Sequence, residues 1–525
     1  MAKLTPSPKT RKNLKFPALP TYLILFALLW LFCGWIYDDV FYISQQHTYF
    51  AFDKLLLKEV TAFWYGWAIV MGRFIMLSFH YPIFGGAIYA SILTLTVYLL
   101  NYITNNKKYI QLAGTAIPFI WLFFLVSLRL NIFYHYEPSF FIYLPVLTLI
   151  VLGSCAACIR LYRKRPFPSL LTAGTMSSKW QCASVSAGII LFVGLSYYAL
   201  VTNQNTVITA KLQRQLQDHR WTDMVATAQK AKQPTRPICA YYATALGYLD
   251  QLEQHLFDIF YQYPNAHLTN RNNYEDIGTF YYMADTYLYM GLANPAWHRN
   301  IDHLTMEGLS AYKLKNLCLS SLINNEVAAT EKILYIIEQM PFEKDFVMKY
   351  RPMLYDRKLL KADPILSRIE ALLPRENAME QDFFIPLFLG YYVDGYNILP
   401  KGTESISMAA SLYAKQLDKF IYYLNKQRPA SPLPSTFEEA LMIYEKKTGK
   451  DIDASRYSQY VLNNVQQMVN DGRTLSKDYK ERGRLLREKY LGMYTMYFFY
   501  ENIPDENYPD PNTSAEKDEQ TNKVN

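Results

Sequence analysis

The stretch LPTYLILFALLWLFCGWIYDD, residues 19–39, decides the class of this protein. Residues 19–37 carry no charged side chain, and two adjacent aspartates, Asp38 and Asp39, follow them directly. A transmembrane helix needs about 20 mostly apolar residues. The stretch therefore predicts a first membrane span at residues 19–37. No small-residue cleavage motif follows it, so we expect an uncleaved anchor rather than a signal peptide.

Further apolar stretches extend this pattern through the first 202 residues. Four of them predict additional spans, near residues 82–102, 110–128, 140–159 and 184–201. Another stretch, residues 61–80, is apolar but contains Arg73 and ends only a few residues before the next span. The sequence thus predicts an all-α protein whose N-terminal transmembrane helix bundle has about five spans over residues 19–202.

The distribution of charge indicates whether residues 61–80 cross the membrane. If they do not, and the N-terminus is cytoplasmic, the inner segments hold 12 basic residues and no acid. The outer segments then hold 4 basic residues and all 5 acids of the first 202 residues. The positive-inside rule produces this asymmetry, and a sixth span would invert it. We therefore predict an interfacial or re-entrant helix at 61–80, with a sixth span as the alternative.

The same topology places the rest of the chain on the outer side. Residues 1–18 form a basic cytoplasmic N-terminus, and residues 203–525 follow an odd number of spans. We expect a multi-pass protein of the bacterial inner (plasma) membrane with a periplasmic C-terminal domain, so the lipid bilayer is one partner. Nucleic acid is not expected, because residues 203–525 hold 37 basic and 40 acidic residues and no basic stripe.

The six cysteines do not indicate a disulfide framework, because four of them lie in or beside apolar runs. Cys155-Ala-Ala-Cys158 has the spacing of a redox motif. It stands in the apolar run LTLIVLGSCAACI, however, without a βαβ context. We interpret both cysteines as small packing residues of a helix, with a redox or metal role as the alternative.

From residue 203 onward, apolar side chains recur at spacings of three and four, which predicts helices. Three helical hairpins can be traced within residues 203–345, in HRWTDMVATAQKAKQPTRPICAYYATALGYLD, FYYMADTYLYMGLANPAWHRNIDHL and LKNLCLSSLINNEVAATEKILYIIEQMP. Gly291 and the pair Asn324-Asn325 supply turns, and small residues let paired helices approach. These units resemble tetratricopeptide repeats. An ordinary helical bundle is the alternative.

Residues 346–503 are predicted to form a C-terminal helical region. The apolar run QDFFIPLFLGYYVDGYNILP, residues 381–400, is interpreted as a buried helix of the outer domain. Further helices are predicted at residues 405–427, 454–471 and 475–501. Ser435 and Glu438 have the spacing of a capping box, which marks a helix start. The polar tail, residues 504–525, lacks an apolar face and is predicted to be disordered.

Candidate site residues gather in segments predicted to lie on the outer face. Carboxylates beside histidine and arginine could accept a proton or hold a divalent cation. The candidates are Asp38, Asp39 and Glu137 for catalysis, and His47, Asp53, Arg73 and His135 for binding. The acidic pair could also simply end the span, or pair with a cation such as Arg73, and His135 and Glu137 could be interfacial polar groups. The chain has no HExxH, G-x-S-x-G or P-loop motif, and no metal site is predicted.

This arrangement resembles the C-type membrane glycosyltransferases, relatives of oligosaccharyltransferase and protein mannosyltransferase. Those enzymes carry an acidic residue soon after the first span, in an outer loop that also holds membrane-parallel helices. The resemblance implies that Asp38 or Asp39 is a base or metal ligand and that Glu137 is a second acid. Residues 61–80 would then be the surface helix.

Over most of its length the chain resembles an uncharacterised family of bacterial polytopic envelope proteins with a C-terminal tetratricopeptide-like helical domain. The stretches that carry this resemblance are FHYPIFGGAIYASILTLTVYLL, ATALGYLDQLEQHLF and STFEEALMIYE. It implies no activity. We therefore expect a non-enzymatic membrane protein that presents a helical-repeat domain to a protein or peptide partner. The alternative is a lipid-linked sugar transferase, and only under it is a cofactor, a divalent cation, expected.

Overall fold

The computed structural model describes residues 15–17, 19–104, 108–133, 137–163, 175–261, 279–374, 403–427, 432–449 and 454–501. Within these ranges the chain is all-α, apart from a short ribbon of two strands. The chain divides into two compact units, Met1–Gln204 and Asn205–Asn525.

The first unit is a bundle of long apolar helices joined by short ones. Its elements are β1 (Lys15–Pro17), α1 (Leu19–Leu31), α2 (Asp38–Gln46), α3 (Lys54–Thr61), α4 (Gly66–Met76), α5 (Pro82–Ile103), α6 (Lys108–Ser127), α7 (Phe140–Arg163), β2 (Thr175–Ser177) and α8 (Ser178–Tyr197). Two π-helical turns, Phe32–Ile36 and Tyr198–Thr202, extend α1 and α8. Two 3-10 turns occupy Leu77–His80 and Arg129–Ile132.

Within the described ranges, four helices are long and apolar enough to cross a membrane, Leu19–Ile36, Pro82–Ile103, Phe140–Tyr162 and Trp180–Thr202. They coincide with four of the predicted spans. The stretch predicted as a span at 110–128 forms α6, whose segment Gln111–Ser127 is a shorter apolar helix. Cys155 and Cys158 are both exposed on α7. They lie on a helix, as predicted, but their side chains are exposed and not packed within the first unit.

The segment 61–80, predicted as one helix, begins with a turn and continues as the apolar helix Gly66–His80. α3 ends at Thr61 and α4 begins at Gly66. The turn between them is so tight that a Cβ on Gly66 would lie 1.8 Å from the carbonyl oxygen of Val60. The predicted helix is therefore present over Gly66–His80 and starts five residues later than predicted, because a glycine allows the backbone to turn here.

A second close approach fixes the first unit where α1 ends. A Cβ on Gly86 of α5 would lie 2.8 Å from the Cα of Gly34, so the two backbones are in contact. Beside this crossing, the ring of Phe41 lies 4.9 Å from that of Phe79 and 5.1 Å from that of Phe141. These contacts hold α2 against the bundle.

The second unit consists of short helices. They are α9 (Gln204–Gln217), α10 (Trp221–Ala228), α11 (Arg236–Tyr248), α12 (Leu252–His255), α13 (Thr279–Tyr289), α14 (Ala293–Glu307), α15 (Ala311–Ile323), α16 (Val327–Glu338), α17 (Lys344–Tyr355), α18 (Arg357–Ala362), α19 (Pro364–Leu372), α20 (Glu404–Tyr413), α21 (Leu417–Gln427), α22 (Ser435–Lys447), α23 (Gln459–Thr474), α24 (Tyr479–Tyr490) and α25 (Tyr494–Tyr500). A 3-10 turn occupies Ala454–Arg456.

The predicted hairpins are present as α10 with α11, α13 with α14, and α15 with α16. The turns use the residues that the sequence indicated. Gly291 has a φ of 84° and Asn325 a φ of 61°, in the left-handed region that glycine and asparagine favour. α11, α13 and α15 pack side by side and form a buried layer.

Two arginines tie α18 and α19 to the ends of this layer. Arg357 Nη1 donates to the carbonyl oxygen of Leu322, 2.7 Å away, in the last turn of α15. Arg368 donates to the carbonyl oxygens of Gly247 and Tyr248, where α11 ends. Carbonyl groups at a helix C-terminus have no intrahelical donor and carry partial negative charge, so arginine satisfies them well.

The C-terminal helices differ from prediction in two places. Helices were predicted at residues 405–427, and two are present there with Lys415 between them at a φ of 57°. Residues 475–501, predicted as one helix, divide into two. The capping box does not form, since Glu438 accepts bonds from Ser458 instead. The runs 381–400 and 504–525 lie outside the described residues.

Candidate functional site

Two of the predicted site residues of the first unit form an ion pair. Arg73 of α4 and Glu137, which precedes α7, are 64 residues apart in the chain. Arg73 Nε donates to Glu137 Oε1 over 3.2 Å, and Nη2 donates to Oε2 over 2.5 Å. This two-point geometry is the strongest that a guanidinium and a carboxylate can adopt.

A glycine makes this pair possible. A Cβ on Gly72 would lie 2.9 Å from the Cβ of Tyr143 and 3.3 Å from the carbonyl oxygen of Ser139. α4 and α7 can therefore approach closely only because position 72 has no side chain. Arg73, the next residue along α4, is thereby brought to Glu137.

Further bonds complete the surroundings of Glu137, which is 8% exposed. The hydroxyl of Ser139 donates to Glu137 Oε1 over 2.5 Å. Arg73 Nη1 also points to the carbonyl oxygen of Tyr49, 3.4 Å away. The pair thus joins the segment after α2, helix α4 and the start of α7. A buried carboxylate with both oxygens bonded has the geometry of a structural tie rather than of a free base.

The last residues of α2 and the first residues after it form an unusual run of buried polar side chains. It comprises Ser44, Gln45, Gln46, His47 and Thr48. The hydroxyl of Thr48 donates to the carbonyl oxygen of Gln45 over 2.6 Å, and Gln46 Nε2 donates to Gln45 Oε1 over 2.8 Å. The ring of His47 lies 6.2 Å from that of Phe133. Polar groups are buried where they are hydrogen-bonded, so this run belongs to the interior and not to a free loop.

The remaining predicted residues lie in different surroundings. Asp38 and Asp39 form the first turn of α2, half-buried, where the helix dipole stabilises negative charge. Neither is a partner of Arg73, whose carboxylate partner is Glu137. Asp53 is exposed just before α3, and His135 lies outside the described residues. Among the residues that the structure does describe, no three histidine, cysteine or acidic side chains are arranged to hold a metal ion.

The second unit contains a buried carboxylate that the sequence analysis did not single out. Asp285 of α13 is fully buried, and its pKa is raised to about 6 by that burial. Tyr241 of α11 donates to Oδ2 over 2.6 Å, and Asn316 of α15 donates to Oδ1 over 2.7 Å. Tyr312 and Gln213 are further donors. One side chain therefore connects α9, α11, α13 and α15.

Two more buried carboxylates anchor the C-terminal helices. Glu439 of α22 accepts bonds from the backbone N and the hydroxyl of Thr495, over 2.7 Å and 2.8 Å. Glu501 accepts from the backbone N of Tyr261 over 3.0 Å and from Arg487 Nε over 3.3 Å. Burial raises the pKa of each to about 7.

Comparison with known proteins assigns the chain to one family. A family of unknown function (DUF6057) matches residues 13–176 and 125–501. The chain belongs to that family. No curated protein and no solved structure matches it. The predicted likeness to an uncharacterised family is thus confirmed, and the family description assigns no activity.

Sequence reasoning recovered part of this site. It selected Arg73 and Glu137 but could not pair them, and it missed Ser139 and Tyr49. A lone Asp285 in the apolar helix TFYYMADTYLY was a detectable signal, because acidic residues are almost never buried without partners.

Proposed function

We propose that this protein is a non-enzymatic membrane protein of the bacterial cell envelope that presents its second unit to a protein partner. The observation that carries the proposal is the stacking of the helical hairpins. α13 pairs with α14, α14 also packs on α15, and α15 pairs with α16. Tetratricopeptide-like repeats stack in this way, and such stacks commonly bind peptides or proteins on an extended surface.

The first unit supports the role of membrane anchor in a cytoplasmic membrane. With α6 counted as a fifth span, an odd number of crossings separates the N-terminus from the second unit. β1 and β2 pair antiparallel, with Lys15 opposite Ser177. This ribbon joins two segments that the sequence assigns to the cytoplasm, 1–18 and 160–183. Their pairing is consistent with both segments lying on the same side of the membrane. The second unit would then be periplasmic.

The hairpins also expose side chains suited to a contact surface. Met306 of α14 is 73% exposed and Tyr335 of α16 is 63% exposed. Large apolar and aromatic side chains of this kind contribute most of the binding energy of typical interfaces.

Affinity purification of the tagged full-length protein from its native membranes tests the proposal. We expect a protein to co-purify in near-stoichiometric amount with wild type and with Asp38→Asn/Asp39→Asn. It should be lost from Met306→Asp/Tyr335→Asp. Equal recovery from all three, or no co-purifying protein, would contradict the proposal.

The second candidate is a lipid-linked sugar transferase of the C type. One observation favours it, namely that two predicted site residues, Arg73 and Glu137, form a pair that also reaches the carbonyl oxygen of Tyr49, two residues after His47. Both carboxylate oxygens of Glu137 already accept hydrogen bonds from Arg73 and Ser139. Asp38 or Asp39 would have to perform the acid-base work.

A further inference from the structure

A groove opens between three helices of the second unit, α23, α24 and α25. It has a volume of about 410 Å³, within the size range of ligand sites. Its apolar walls include Met468, Leu475 and Phe499. This C-terminal groove lies outside the hairpins invoked above, so the inference goes beyond the proposed function.

Glycine and stacked rings shape one wall of the C-terminal groove. The rings of Tyr479 and Tyr500 are stacked, with centroids 4.9 Å apart and an interplanar angle of 25°. A Cβ on Gly483 would lie 3.1 Å from the ring of Tyr500, so α24 accepts this ring because position 483 has no side chain. The aromatic wall is therefore held in place by packing.

The charged side chains described in the C-terminal groove are all positive. Arg473, Lys477 and Arg482 line it, and no carboxylate appears among its described lining residues. Arg482 donates to the carbonyl oxygens of Ser476 and Lys477, over 2.9 Å and 3.2 Å, which fixes its side chain.

The other two cations of the groove, Arg473 and Lys477, differ from neighbouring cations in their ion pairing. Within the described parts of the chain, Arg473 and Lys477 have no acidic partner, although nearby cations do. Lys489 Nζ lies 2.8 Å from Asp471, for example. Unneutralised cations that converge on a cavity attract a negatively charged ligand.

The lining also narrows the class of ligand. Apart from tyrosine, the only side-chain hydroxyl among the described lining residues is that of Thr495, which already donates to Glu439. A neutral carbohydrate would leave Arg473 and Lys477 without a counter-charge. An apolar side chain flanked by carboxylates would match both the apolar walls and the positive charge of the groove. We propose that the C-terminal groove binds an acidic, aromatic-containing peptide segment of a partner protein, with its carboxylates on Arg473 and Lys477.

Fluorescence anisotropy with the full-length protein in detergent micelles tests this inference. The probe is a fluorescein-labelled peptide, Gly-Asp-Glu-Phe-Glu-Asp-amide, and the control peptide is Gly-Asn-Gln-Phe-Gln-Asn-amide. We expect the acidic peptide to bind, at least tenfold more tightly than the neutral one. Raising NaCl from 50 to 500 mM should weaken its binding, because exposed charges are screened.

Charge-reversed variants localise the site. Arg473→Glu/Lys477→Glu should weaken binding at least tenfold, since attraction becomes repulsion at the rim. Lys358→Glu/Lys361→Glu makes the same change of charge on exposed positions of α18 and should stay within twofold of wild type. Arg473→Gln/Lys477→Gln, which introduces no repulsion, should show an intermediate loss.

Three results would overturn the inference. They are failure of the acidic peptide to bind, equal binding of the two peptides, and unchanged binding to the Arg473→Glu/Lys477→Glu variant. A fourth concerns the acidic C-terminal segment of the same chain. If the peptide binds only after Asp505, Glu506 and Asp510 are changed to their amides, that segment is the occupant and the external partner is excluded.

Discussion

Replacing Asp285 by asparagine removes a buried negative charge and keeps the shape of the side chain. Burial raises the pKa of Asp285 from 3.8 to about 6 in the folded protein. A difference of one pKa unit corresponds to about 1.4 kcal/mol, so this rise corresponds to about 3 kcal/mol. Because the folded pKa is the higher one, the folded form retains a proton that the unfolded chain releases between pH 4 and 6. Stability from this group is therefore full below pH 4 and is lost as the pH rises through 6.

The variant should abolish this pH dependence. The unfolded carboxyl is already partly ionised at pH 4. We therefore expect the free energy of unfolding of Asp285→Asn, minus that of wild type, to increase by about 2.4 kcal/mol from pH 4 to pH 7. The pH-dependent contributions of other titrating groups, including Glu439 and Glu501, are the same in both proteins and cancel in this difference. Pulse proteolysis in urea, following the second unit of the micelle-embedded chain, provides the measurement. Asp345→Asn, an exposed control on α17, should change the difference by less than about 0.5 kcal/mol.

A second substitution separates charge from hydrogen bonding. Asp285→Ala leaves the hydroxyl of Tyr241 and the amide of Asn316 buried without their acceptor. Each such loss costs about 1–3 kcal/mol, so Asp285→Ala should be less stable than Asp285→Asn at every pH. The reasoning would be refuted if the difference in free energy of unfolding between Asp285→Asn and wild type changed by less than about 1 kcal/mol from pH 4 to pH 7.

Three further predictions concern the first unit. Arg73→Gln and Glu137→Gln should each lower the stability of the first unit to urea in micelles by about 3 kcal/mol, because each leaves the charge of the other residue unpaired. The double variant should recover part of this loss. Equal losses in all three variants would contradict the pairing. Alkaline phosphatase fused after Asn203 should be active and a fluorescent protein fused there dark, whereas bright fluorescence would place the second unit in the cytoplasm. Asp38→Asn/Asp39→Asn should insert normally and preserve the phenotype of wild type, since asparagine also ends an apolar run. Loss of that phenotype with normal insertion would favour the sugar transferase, for which general base catalysis alone is worth about 10²–10⁴-fold in rate.

The sequence by itself determined which segments are helical and which of them suit a membrane. These properties are local, because a long apolar run or a three-and-four periodicity needs no distant partner. The turns at Gly291 and Asn325 were predictable for the same reason, since their left-handed backbone depends on the residue itself. The family match then confirmed that the chain belongs to an uncharacterised family and left its activity open.

Only the tertiary structure decided how polar residues are paired. Ser435 and Glu438 have the local spacing of a cap, yet Glu438 turns to Ser458, 20 residues away. Asp285 accepts hydrogen bonds from side chains of other helices, and no local pattern in α13 predicts which residues donate them. Arg73 and Glu137 were selected as separate candidates and meet because Gly72 lets α4 approach α7. Such pairings depend on the distance between packed helices, which neither composition nor periodicity encodes.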